Sequence, residues 1–393
     1  MPPDDPSSRR GRGVAERSAT FAGKPLSLPR YPIVRPLIPP VAAWAPHLEG
    51  AYAQQYFTNF GSVEQRFTTG LLAEFGAPEE TCVVCSSATV GLSAALIAAG
   101  SRGKVVVPSF TFPATLDAIY AARCEPVLCD VAADTWQADA GCIRAAVGDE
   151  RPAAIMVVRP FGLLSRFDAV AALAAEWNVP LIVDAAAALG VQRSAAEFAG
   201  CSYFEVFSMH ASKAFGIGEG GAVFAPAAQR DSLRRALNFG LLPDRRFGYG
   251  LNGKMTEFQA AIGLEVLSTY RDLLAARRAM ARRYQDVLAD RPGYATLPNI
   301  LDSACATFPV LLPKGVDAAR FSSAALERGA QFRRYYHPSL AQGFADLAAA
   351  STPVSDDLAD RMMCLPLYAD LRPGEMEEII DILTSSDQAA RAS

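Results

Sequence analysis

The 393-residue chain is 51% apolar and 20% charged, the balance of a soluble globular protein, and its length makes two domains the default expectation. A net charge of −4 leaves no basic footprint for nucleic acid, and no window approaches the ~20 apolar residues that cross a bilayer. A cytoplasmic protein is expected, with any anionic ligand held by a local site rather than by a broad field.

Residues 1–24 read as a disordered tail, rich in Pro, Ser, Gly and Arg, with no apolar period before Leu26. Arg9-Arg10 is not followed by the apolar stretch of a twin-arginine signal. From residue 80 to about 225, short β-rich runs alternate with helical stretches. The runs are Cys82–Cys85, Lys104–Val107, Pro126–Cys129, Ile155–Val158, Leu181–Val183, Tyr203–Phe207 and Ala222–Phe224. Ala/Leu-rich segments such as Val90–Ala99 and Ala169–Trp177 lie between the first five. Continuous apolar strands separated by helices predict a mostly parallel seven-stranded sheet flanked by helices. The last two runs are joined by a Gly-rich stretch, so the final strand is free to run the other way. Gln259 to about Ala289 reads as one long or broken helix ending at Arg291-Pro292-Gly293. A strand at Phe308–Leu312 and helices at Ala318–Arg328 and Met376–Thr384 then predict a smaller α+β domain. The expected division is 25–275 for the large domain and 276–393 for the small one.

Eight cysteines are scattered along the chain, and Cys82 and Cys85 form a CxxC inside an apolar run. With no second pair at metal spacing and three histidines, they read as small buried side chains, and no metal is expected.

Open α/β sheets bind ligands at the carboxyl ends of their strands. Ser87, Thr111, Asp184 and Ser208 each follow or close a strand there. Lys213 lies just beyond the sixth run, in a loop continuing into Gly216-Ile217-Gly218-Glu219-Gly220-Gly221. A desolvated lysine there is a better nucleophile toward a carbonyl, although a solvated loop lysine explains the bare pattern too. Asp184 would emerge beside that loop, either to hold a protonated ring nitrogen or to cap a helix over Ala185–Leu189. Ser86-Ser87-Ala88-Thr89 precedes a helix and suits a phosphate dianion, or plain N-capping; Ser208 could add a hydroxyl. Phe112, in Pro108–Thr115, could stack on a flat ring or join a satellite core. An amine, a carboxylate and a phosphate cradle together match the needs of pyridoxal 5′-phosphate (PLP).

These pieces resemble the DegT/StrS-type sugar aminotransferases, fold-type I PLP-dependent enzymes. The resemblance rests on Thr58-Asn59-Phe60-Gly61, Ser87-Ala88-Thr89, Pro108–Thr115, Asp184-Ala185-Ala186, Ser208–Lys213, Glu219-Gly220-Gly221, Asn238-Phe239-Gly240, Asn252-Gly253-Lys254-Met255 and Glu257-Phe258-Gln259-Ala260-Ala261, in the family's order. His210 and the EGG and NFG pieces look most like members acting on nucleoside-diphosphate 4-keto-6-deoxyhexoses. The resemblance implies that Lys213 is the Schiff-base lysine and the acid/base of the proton shift. It implies that Asp184 holds the pyridinium, that Ala88, Thr89 and Ser208 hold the phosphate with Ser87, and that Phe112 stacks on the ring. Asn252 would reach the phosphate from a neighbouring subunit, so a homodimer with shared sites is implied. The implied reaction is ping-pong transfer from glutamate or glutamine to a keto-sugar, in secondary-metabolite (antibiotic) or surface-sugar biosynthesis.

Two departures bear on the acceptor. Ala187 stands where the family usually has Gln or His, and Arg159 stands near a usual histidine. Arg159 could bind a substrate carboxylate or phosphate through its planar fork, or simply a surface carboxylate. His337 could enter the site from the small domain or be structural, and Asn59 could help close the substrate pocket. Two other functions stay open: a PLP enzyme acting on a non-sugar ketone or an amino acid, and a non-catalytic PLP-binding regulator.

Overall fold

The structure is a computed structural model that describes residues 29–391 apart from 165, 242–245, 298 and 348–350. The expected tail of residues 1–24 lies outside the described residues. Seven strands form one sheet: β1 (Glu80–Cys85), β2 (Lys104–Pro108), β3 (Glu125–Cys129), β4 (Ala154–Val158), β5 (Leu181–Asp184), β6 (Tyr203–Ser208) and β7 (Gly221–Pro226). Each expected run falls inside its strand. The order is β1-β7-β6-β5-β4-β2-β3, and β7 runs antiparallel to both β1 and β6. The stretch 209–220 contains no helix, and without a crossover helix the chain re-enters the sheet in the opposite direction.

Helices of eight or more residues are numbered here: α1 (Ser62–Phe75), α2 (Ala88–Ala98), α3 (Pro113–Ala121), α4 (Ala140–Val147), α5 (Asp168–Trp177), α6 (Arg230–Leu237), α7 (Glu257–Ala289), α8 (Ala318–Glu327), α9 (Pro353–Arg361) and α10 (Pro373–Arg391). One face of the sheet packs Val157, Val183 and Phe207 against apolar residues of α1, α5 and α7. The other packs Val107, Ile182 and Val206 against α2, α3 and α6. Residues alternate between faces along each strand, so strands buried on both sides read as unbroken apolar runs.

The long helical pattern is a single 33-residue helix, α7, started by a capping box between Thr256 and Gln259. Its first half lies in the sheet core through Ala260, Val266, Tyr270 and Leu274. Its second half joins another core through Ala281, Tyr284 and Leu288. The expected division at 275/276 therefore falls inside an unbroken helix. Gly263 lets α1 approach α7, because a Cβ there would lie 2.4 Å from the Phe67 ring. Gly263→Ala should therefore force the helices apart.

The second core surrounds the antiparallel pair β8 (Thr307–Leu311) and β9 (Met362–Pro366), covered by α8 and α10. Two polar ties join this small unit to the sheet near the carboxyl ends of β2 and β3. Ser109 accepts from Leu340 N–H through its carbonyl (2.9 Å) and from Ala341 N–H through its hydroxyl (3.0 Å). Asp130 accepts from the amides of Val354 (3.0 Å) and Ser355 (2.8 Å) at the start of α9. No helix among the described residues is long and apolar enough to cross a membrane. Six of the eight cysteines are buried, and all eight are free thiols.

Candidate active site

Asp184 closes β5 and is 6% exposed. Its Oδ2 accepts from Thr115 Oγ1 (2.7 Å) and its Oδ1 from Ala186 N–H (3.0 Å). Thr111 Oγ1 lies 2.8 Å from Thr115 Oγ1, so two buried hydroxyls from the loop after β2 and the first turn of α3 stand behind the carboxylate. The segment 185–189 forms turns rather than the helix that an N-cap reading requires. Burial raises the carboxyl pKa, opposed by the Thr115 and Ala186 hydrogen bonds and by the nearby Lys213 charge.

Lys213 sits in the loop between β6 and β7, which is tied to itself by its backbone. Met209 N–H donates to Gly220 O (2.8 Å), Ala211 N–H to Gly218 O (2.7 Å) and Lys213 N–H to His210 O (2.8 Å). Gly218 has φ +103, a left-handed backbone that favours glycine. Burial lowers the ammonium pKa of Lys213, with the Asp184 charge pulling the other way. Lys213 makes no ion pair within 4 Å among the described residues. It is thus an amine biased toward its neutral, nucleophilic form, facing a carboxylate biased toward its neutral form. The exposed His210 shares a 2.7 Å contact with Ser212 Oγ through Nδ1, and its Nε2 lies 3.6 Å from Glu219.

The third component is the start of α2. Ser87 is its N-cap, with Oγ accepting from Val90 N–H (3.3 Å), and the amides of Ala88 and Thr89 open the helix. Gly221 pairs with Ser208 across the ladder, and a Cβ on it would lie 2.8 Å from Ala88 N. Ser208 and the start of α2 are therefore close neighbours. Segment 252–254 lies against the same place, with Ser86 N–H donating to Gly253 O (2.8 Å). Asn252 Oδ1 accepts from Lys254 Nζ (2.8 Å).

An aromatic wall completes the geometry. Phe112 is 52% exposed at the start of α3, its ring centroid 6.5 Å from that of Tyr336. Tyr336 comes from the small unit, stacks on Phe161 (5.0 Å, 5°) and meets Phe110 edge-on (5.3 Å). The Asp184 charge is among the causes that raise the Tyr336 phenol, after burial, which places this ring beside the carboxylate. Sequence reasoning missed Thr115 and Tyr336. Thr115 lies within Pro108–Thr115, four residues from Thr111 and so on the same side of a turn. The signal for Tyr336 was the aromatic pair before His337.

The structure corrects the expectation for Arg159 and gives His337 the structural one of its two readings. Arg159 does not face a substrate or the surface: it is 2% exposed, with Nε donating to Glu205 (2.9 Å) and Nη2 to Glu197 (2.5 Å) on the opposite face of the sheet. The carboxylates that attract it come from β6 and residues 195–198, and both are buried. His337 is engaged by Arg334 Nη2 (3.0 Å) and lies 3.4 Å from Asp360 within the small unit, so Tyr336 rather than His337 reaches the site. Asn59 is exposed, with φ +62, and its carbonyl accepts from Tyr56 OH (2.9 Å).

This donor set fits PLP. A buried carboxylate can face a protonated ring nitrogen, a depressed lysine can bind an aldehyde carbon, and the start of an 11-residue helix can take a phosphate. The profile of the DegT/DnrJ/EryC1/StrS aminotransferase family matches residues 44–384. The chain belongs to this family. It is a PLP-dependent aminotransferase, and its sheet and small antiparallel unit have the fold of such enzymes. Protein Rv3402c of Mycobacterium tuberculosis is 30% identical over 376 residues, covering 90% of this chain and 89% of that one. The dTDP-4-amino-4,6-dideoxy-D-glucose transaminase of Escherichia coli is 27% identical over 366 residues, covering 90% and 96%. A crystal structure of DesI in the presence of its TDP-sugar product is similar to the aminotransferase with a TM-score of 0.84. It is 28% identical and covers 92% of this chain and 94% of that one.

Proposed function

We propose that this aminotransferase moves an amino group from glutamate or glutamine to a keto-sugar carried on a nucleotide, by a ping-pong mechanism. The observation that carries the reading is the opposition of Lys213 and Asp184 beside the start of α2. The transaminase of Escherichia coli and the DesI structure, both named for nucleotide sugars, support the acceptor class.

When bound, PLP supplies an aldehyde that takes up the amino group and a ring that withdraws electrons from the reacting carbon. Lys213 Nζ would hold that carbon and, when free, would take the proton from the donor α-carbon and return it on the other side of the nitrogen. Asp184, fixed by Thr115 and Ala186, keeps a proton on the ring nitrogen. The amides of Ala88 and Thr89, with the hydroxyls of Ser87 and Ser208, hold the phosphate, and Phe112 packs on the ring face. His210 and Asn59, both exposed, line the acceptor side. Asn252 would meet the phosphate across a homodimer of cytoplasmic subunits. The 49% exposed Phe239, 40% exposed Leu241 and 75% exposed Phe247, on the same segment, support such an interface.

Mixing the holoenzyme with L-glutamate or L-glutamine in the absence of acceptor tests the reading. One equivalent of 2-oxo acid per site should appear and then stop, and a nucleotide-linked keto-sugar should restart release. Continuous turnover with ammonium release would overturn transamination. Restart by a sugar-free ketone alone would overturn the acceptor class.

A further inference from the structure

Away from Lys213, a solvent-open cleft runs along the outer edge of the sheet. Strand β1 is an edge strand, paired to β7 alone, with α1 on one side and α6 on the other. The cleft between these helices has Cys82 and Val83 of β1 in its floor, with Glu64, Thr68, Arg230 and Arg234 in its walls.

Its charges are oddly matched. Arg230 and Arg234 stand four residues apart on α6, which puts both on one helix face. Neither makes an ion pair within 4 Å among the described residues. Arg234 rests its guanidinium on the Phe60 ring (4.1 Å), which occupies its flat face and leaves its N–H edge free. Across the cleft, Glu64 is 4% exposed, and its carboxylate has a single long contact, 3.4 Å from Thr68 Oγ1. The amides of Val63 and Glu64 at the start of α1 are already taken by Glu257 (2.8 and 3.1 Å). The helix terminus is spent, so any ligand here must be bound by side chains. Among the described residues, a buried carboxyl with almost no donor and two guanidinium groups with no acceptor share one cavity.

We propose that this cleft is a second binding site, for a phosphate-type oxyanion held by Arg230 and Arg234, with Glu64 in the facing wall. Guanidinium forks match the oxygens of such a group, and the Thr68 hydroxyl adds a donor. The free anion and the diphosphate of a nucleotide present the same chemistry.

Glu64 makes the site pH-dependent. Burial pushes its pKa up to about 7 against the pull of Arg234, Thr68 and Arg230, while Glu257 of α7 adds to the rise. The Cys82 thiol on β1 also faces it. Below that pH the carboxyl is neutral and can donate to the anion. Above it, the carboxylate repels the anion.

Sulfate is the probe, because its charge does not change between pH 6 and 8. Titrated calorimetrically into the holoenzyme, it should bind roughly ten-fold more tightly at pH 6 than at pH 8, about one protonation step. Glu64→Gln should abolish that pH dependence and bind at pH 8 about as well as wild type does at pH 6. The double variant Arg230→Met/Arg234→Met should lose binding while keeping the cofactor spectrum. Displacement of sulfate by a nucleoside diphosphate would identify a nucleotide as the source, and failure to displace it would identify the free anion. Absence of sulfate binding to wild type at pH 6, or equal binding by the double variant, would overturn the proposal.

Discussion

Two groups of buried charges occupy opposite faces of the same sheet and behave in opposite ways. On the face away from Lys213, Arg193 bridges Glu205 (2.5 Å) and Glu80 (2.7 Å), Arg159 bridges Glu205 and Glu197, and Tyr203 OH donates to Glu80 (2.7 Å). There Glu205, set between two arginines, is held below the usual carboxylate range although burial alone would raise it, and Arg193 is held above its usual value. Glu197, with one arginine rather than two, is lifted by burial. At the carboxyl edge of the strands, Asp184 is raised and Lys213 lowered, because burial there outweighs their mutual attraction. The difference shows what each group is built for. Dense pairing fixes charge and shape, whereas sparse pairing lets burial shift an acid and an amine toward their neutral forms.

Asp184→Asn should separate the two groups most sharply. Activity should fall by roughly 10²-fold or more, as when a preorganised electrostatic partner is removed. Stability of the cofactor-free protein should hold or rise, since a costly buried carboxyl is gone. A clear loss of stability with activity intact would put Asp184 with the structural charges. Glu205→Gln should do the reverse. Arg159 would keep Glu197 and Arg193 would keep Glu80. Losing their charged hydrogen bonds to Glu205 should cost roughly 1.5–3 kcal/mol in urea unfolding, with the cofactor still attached to Lys213.

Thr115→Val probes the reactive side more gently. Losing the donor to Oδ2 removes about 1 kcal/mol of hydrogen bonding and favours protonated Asp184. The acid limb of kcat/KM should therefore move to higher pH, with little change on the alkaline limb. Glu64→Gln should act in one pH range only. With its folded pKa near 7 and its ordinary value at 4.5, Glu64 keeps a proton in the native state that the unfolded chain releases in between. Wild-type stability from this group is complete below pH 4.5 and lost as the pH rises through 7. The Tm of the variant should match wild type at pH 4.5 and exceed it at pH 8.

The contrast also marks what could be read in the sequence. Apolar runs bounded by turn residues located all seven strands, and Asp184 and Lys213 stood out because a charge at the end of a buried strand is poor packing. The placement of β7 between β1 and β6 was not legible, since strand order is a long-range choice that local pattern does not encode. Arg159 misled for the same reason: Glu197 and Glu205 lie 38 and 46 residues away. Nothing near Arg159 in the sequence points to these two buried carboxylates. Tyr336 reaches Asp184 only after the small unit docks through Ser109 and Asp130, a contact between segments more than two hundred residues apart.

The central claim is that Lys213 is the amine that carries the cofactor. Borohydride reduction of the holoenzyme, followed by digestion and peptide mass spectrometry, tests it directly. The reduced cofactor should be found on the peptide containing Lys213, and Lys213→Ala should carry none. Label on another lysine such as the largely buried Lys254, or undiminished label in Lys213→Ala, would contradict the account.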